Sequence, residues 1–139
     1  MHILECLPVM LRYVIQYKFS ILLVAIILLV SLAPSSSLPD SRLFSIPYFD
    51  KMVHFLMYAP LCFVALMESR FPRQRFRTHV FILLGILLVS GVIEVLQATV
   101  VPSREAEWTD MFANFCGLFA GYLAYRLLGG LRIFRFLKS

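Results

Sequence analysis

Asp50, His54 and Tyr58 recur at intervals of four residues, and Lys51 adjoins the first of them. On a helix these four side chains fall within an arc of roughly 100°. The stripe descends about 12 Å from Asp50 to Tyr58. An imidazole with a carboxylate one turn above it can have its ring oriented and its charge supported, which suits acid–base work. Glu94 and Gln97 are three residues apart and share a face. Asp110 and Asn114 share another, and Arg104 precedes them. Arg104 and Lys51 offer donors for a phosphate or carboxylate, while Asp50, Glu94 and Asp110 balance that charge. His54, Glu94 and Asp50 are the candidates for catalysis.

These positions lie in strongly apolar surroundings. Of 139 residues, 60% are hydrophobic and only 15% charged, with a mean hydropathy of +0.84. Soluble domains are closer to half apolar and a quarter charged. A membrane span needs roughly 20 residues. Four apolar segments of suitable length occur, at about 17–33, 50–67, 79–100 and 109–128. An ionisable group at membrane depth is costly, so it pairs, lines a cavity or serves a site. The expected fold is an all-α membrane protein, a bundle of four transmembrane helices. Residues 1–16 form an N-terminal interfacial segment, 17–128 the transmembrane domain and 129–139 a basic cytoplasmic tail.

Charge sets the expected orientation. Ten of the thirteen basic residues lie in the N-terminal tail, in the loop from Arg70 to Arg77 and from Arg126 onward. With Glu5 and Glu68 that side carries +8, and the other carries −3, together the +5 of the chain. Both termini are therefore expected in the cytoplasm, and the loops at about 34–49 and 101–109 outside. The basic character then reflects topology and anionic lipid, and gives no reason to expect a nucleic-acid partner. All the polar candidates fall near the outer surface, which predicts one pocket there.

Other features are structural. Cys6, Cys62 and Cys116 have neither metal-type spacing nor close pairs. Ala113, Gly117 and Gly121 make a small-residue ladder on the Asn114 face, which lets helices approach closely. That face is expected to be used within the monomer. The first segment resembles a secretion signal, but Pro34 directly follows Ala33, which favours a retained anchor. Trp108 is expected at the outer interface.

Three blocks carry a family resemblance. Residues 50–58, Asp-Lys-Met-Val-His-Phe-Leu-Met-Tyr, resemble the Asp-Lys-x-x-His-Phe-x-x-Tyr motif of VanZ-like membrane proteins. Gly91, Glu94 and Gln97 are similar to that family's Gly-x-x-Glu-x-x-Gln motif, and Arg104, Asp110, Asn114 and Gly117 to its third block. The family is named for a protein that lowers susceptibility to teicoplanin. The resemblance implies the bacterial cytoplasmic membrane and the handling of a lipid, lipid-linked or glycopeptide-type amphiphile.

Two mechanisms fit these residues. In one, Asp50, Lys51, His54, Tyr58, Glu94, Gln97, Arg104, Asp110 and Asn114 bind an amphiphile headgroup, with membrane lipids as partners. In the other, the same pocket is an intramembrane hydrolase or transferase acting on an anionic lipid headgroup. There His54 is the acid–base group or nucleophile, Asp50 orients it, Glu94 is a second acid–base group and Arg104 stabilises developing charge. A divalent ion among Asp50, His54, Glu94 and Asp110 is conceivable, but the spacing carries no metal signature, so no metal or other cofactor is assigned.

Overall fold

The computed structural model describes residues 9–34, 46–69, 75–101 and 107–138. Five α-helices and a terminal 3-10 helix account for almost all of them, and no strand occurs among the described residues. They are α1 (Val9–Gln16), α2 (Lys18–Leu32), α3 (Phe49–Glu68), α4 (Phe76–Val100), α5 (Trp108–Leu128) and the 3-10 helix (Arg132–Leu137). Helices α3, α4 and α5 are each long and apolar enough to cross a membrane. The first expected span, 17–33, corresponds to α2, which at 15 residues is shorter than the other three. α1 and α2 meet at Tyr17 with a 74° bend, and together they make a fourth crossing if counted as one broken span.

The break has a physical cause in a distant residue. The first N–H groups of any helix have no partner within it. Here the Glu68 carboxylate, at the end of α3, accepts from the backbone N–H of Phe19 at 2.9 Å and of Ser20 at 3.0 Å. It also accepts from the Ser20 hydroxyl at 2.5 Å. Gln16, across the break, donates to the Glu68 carbonyl. A carboxylate at a helix N-terminus also complements the helix dipole. α2 is thus capped by another helix, and its start is fixed by tertiary structure.

The burial pattern differs from that of a soluble domain, since large apolar side chains cover the outside as well as part of the core. Phe81, Leu88, Val95, Phe112, Phe119 and Leu29 are exposed, while Ser20, His54, Glu68, His79, Ser90, Glu94 and Asn114 are buried. Apolar side chains outside and polar ones inside suit a hydrocarbon solvent. The chain is accordingly a multi-pass membrane protein.

The tightest contact is between α3 and α5, which run in the same direction. Gly117 and Gly121 make it possible. A Cβ on Gly117 would lie 2.6 Å from the Phe55 carbonyl oxygen, and one on Gly121 would collide with that of Ala59. The glycine face therefore packs inside the monomer, as its spacing predicts. α4 touches α5 over a much shorter stretch, and α2 leans on α3 and α4. The C-terminal residues also join the bundle. Leu137 is buried, and the Phe134 ring meets Phe63 edge-on at 4.9 Å.

Candidate functional site

The faces of α3, α4 and α5 that carry polar residues meet at one end of the bundle. Asp50 and Lys51 lie in the first turns of α3, and Asp110 lies in the first turn of α5. Because the two helices run parallel, these turns come side by side. Lys51 Nζ sits 2.5 Å from Asp110 Oδ1, 2.5 Å from Glu107 Oε2 and 3.6 Å from Asp50 Oδ2. The Asp110 contact is close charge against charge, without the alignment of a hydrogen bond. The Lys51 ammonium and the Thr109 hydroxyl hold the exposed Glu107 carboxyl below the usual carboxylate range.

One turn deeper, His54 is buried between two groups of oxygens. Its Nδ1 lies 2.9 Å from Asn114 Oδ1 and 3.5 Å from Glu94 Oε1. Its Nε2 faces Asp50 Oδ1 at 3.9 Å and Asp110 Oδ2 at 4.0 Å. Asn114 is fully buried and joins all three helices. Its amide nitrogen donates to Ser90 Oγ at 2.8 Å and approaches Glu94 Oε1 at 3.4 Å. The hydrogen bond that orients His54 thus comes from Asn114, whereas Asp50, expected in that role, stands beyond hydrogen-bond range.

Asp50, Lys51, His54, Glu94, Asp110 and Asn114 form one connected cluster. Tyr58 is buried one turn below and reaches it through a hydrogen bond with Ser90. Gln97 is buried on the Glu94 helix, but its amide forms no hydrogen bond with another described residue. Arg104 lies outside the described residues. Two members were not anticipated as site residues. Ser90 stands four residues before Glu94, so helical spacing places it on the same face. Glu107 belongs to no motif, and only the parallel packing of α3 and α5 brings it to Lys51.

The cluster grades from a half-exposed mouth to a sealed base. The Asp50 side chain is 48% exposed, Lys51 23%, His54 5% and Asn114 fully buried. Among the described residues it holds four carboxylates, Asp50, Glu94, Glu107 and Asp110, against one ammonium. Donor atoms of Asp50, His54 and Asp110 lie within 4.8 Å of one another, close enough to share a cation. Beside the cluster, Gly91 and Met111 edge an apolar groove between α4 and α5, continued by Leu84, Leu87 and Val95.

The sequence profile of one family, described as VanZ/LLP1, matches residues 10–129. No curated protein and no solved structure matches the chain.

Proposed function

The chain belongs to the VanZ/LLP1 family, and we propose that it binds the polar headgroup of a lipid or glycopeptide-type amphiphile taken from the bilayer. The observation that carries this reading is the cluster itself. Six polar side chains from three helices converge at one end, graded from open to sealed, beside a groove suited to acyl chains. A purely structural network has no need of a half-exposed mouth.

The distribution of Lys and Arg supports the reading that this end of the bundle faces outward from a bacterial cytoplasmic membrane, with both termini inside. The guest then comes from the outer leaflet, in keeping with a role that alters exposure of surface amphiphiles to glycopeptides.

The test is saturable binding to the full chain in lipid nanodiscs. Polyprenyl phosphate, polyprenyl diphosphate, an anionic phospholipid and teicoplanin are titrated in turn. At least one should bind to wild type and be lost in His54→Ala, while Leu29→Ala, on the outward face of α2 and away from the groove, binds normally. Equal binding by all three proteins sinks the reading.

One observation favours a second reading, that of a hydrolase or transferase. The His54 ring stands between carboxylates on both sides, an arrangement that can take a proton on one nitrogen and release it from the other. Turnover of a bound headgroup by wild type, absent in Glu94→Gln, would establish it.

A further inference from the structure

The His54 environment contains an electrostatic imbalance. The Asn114 amide must turn its nitrogen toward Glu94, because a carboxylate oxygen accepts and the amide oxygen would be repelled. Asn114 Oδ1 then faces His54 Nδ1, which must carry the hydrogen. In the neutral ring this leaves Nε2 with a bare lone pair. That lone pair points at Asp50 Oδ1 and Asp110 Oδ2, at 3.9 and 4.0 Å. Three electron-pair donors converge, and no described residue places a hydrogen among them. His54 is only 4% exposed, and its Nε2 lies beyond hydrogen-bond distance of either carboxylate.

Lys51 does not fill that space. It takes the other oxygen of each carboxylate, Oδ2 of Asp50 and Oδ1 of Asp110. Each carboxylate thus has one oxygen near the ammonium and one near Nε2. This is the outer support that metal-binding carboxylates and histidines commonly have, with the second ring nitrogen tied to an amide or carbonyl oxygen. A tetrahedral ion with bonds of 2.0–2.2 Å wants its donors about 3.4 Å apart. Side-chain rotations at both Asp50 and Asp110, each closing a gap of well under an ångström to the imidazole, approach that spacing.

We propose that Asp50, His54 and Asp110 bind a divalent cation of the Mn2+ or Zn2+ type, held by Asp50 Oδ1, His54 Nε2 and Asp110 Oδ2. One imidazole with two carboxylates suits ions of this borderline class. The cation also resolves a difficulty in the headgroup reading, on which this second part rests. Lys51 is already matched by three carboxylates, so an acidic mouth attracts an anionic headgroup through a bound cation, with the open positions of that ion facing the membrane surface.

The experiment uses the full chain in detergent, stripped with chelator and titrated with Mn2+ alone. Loss of the free-ion electron paramagnetic resonance signal should give one site per chain. Pulsed measurements should show coupling to one nitrogen nucleus. His54→Gln should abolish that coupling. Asp50→Asn, at a half-exposed position that leaves the interior intact, should weaken Mn2+ at least tenfold. Asn114→Ala should weaken it about 10- to 100-fold through loss of ring orientation. Failure of folded wild type to take up Mn2+ or Zn2+ at millimolar concentration overturns the site and leaves an imidazolium at His54 as the occupant. Uptake unchanged in Asp50→Asn and His54→Gln also overturns it.

Polyprenyl phosphate binding is then measured with Mn2+ and with chelator. Equal binding in both refutes the bridging role and spares the headgroup reading. Metal uptake without binding of any amphiphile refutes the headgroup reading and spares the metal site.

Discussion

Two buried glutamates define the two ends of this bundle, and they are treated differently. Glu68 is 1% exposed, and its two carboxylate oxygens receive three hydrogen bonds at 2.5–3.0 Å from the start of α2. Glu94 is 6% exposed, and its described neighbours are an amide at 3.4 Å and an imidazole at 3.5 Å. A buried charge whose lone pairs are satisfied holds structure together. A buried charge with capacity to spare is costly to the fold, and is expected where a ligand or proton completes it. The same residue type therefore serves as a fastening at one end and, on the function proposed above, as a reactive group at the other.

The strongest test of this contrast is Glu68→Ala. It leaves two backbone N–H groups and a hydroxyl without partners in the interior, and should cost roughly 2–3 kcal/mol. Thermal unfolding in detergent should shift down markedly, with amphiphile or Mn2+ binding by the remaining folded protein unchanged. Gly121→Val comes next, at roughly 1–3 kcal/mol, because the added side chain meets the α3 backbone at Ala59. It should harm stability and binding together, since separating α3 from α5 also separates His54 from Asn114.

Glu94→Gln should leave stability within about 1 kcal/mol of wild type while removing function. If it melts as early as Glu68→Ala, the division between fastening and reactive ends is wrong. The smallest effect belongs to Glu107. Its carboxyl is held below the ordinary value of 4.5 by Lys51, so the folded form has the lower pKa. Its contribution is present above that ordinary value and fades as pH falls through the depressed one. The melting difference between wild type and Glu107→Gln should be flat down to about pH 4.5 and shrink below it.

The reactive end was largely legible in sequence, and the fastened end was not. Asp50, His54 and Tyr58, or Asp110, Asn114 and Gly117, declare themselves by helical spacing, because a single helix fixes which of them share a face. The same logic placed the glycine ladder inside the monomer. Glu68 gives no such signal. Its role depends on where α2 begins in space, beside the far end of α3, which no local spacing reveals. His79, fully buried with neither ring nitrogen hydrogen-bonded to a described residue and Tyr125 edge-on at 5.3 Å, was equally invisible from local pattern. Within the site, the Asn114 bond to His54 was missed because Asp50 is nearer in sequence, although the parallel register of α3 and α5 favours Asn114.

The backbone-to-backbone seam at Gly117 and Gly121 has a mechanical consequence. It makes α3 and α5 a stiff pair, whereas α4 adheres to them over a short stretch. Strain on the bundle would therefore fall first on the α4 contacts, and a shift of α4 would part the wall beside Met111 and draw Glu94 away from the imidazole. On the headgroup reading, a guest with a long tail would gain a sideways door from the bilayer there, and its passage would be coupled to whether the buried acid stands beside the histidine.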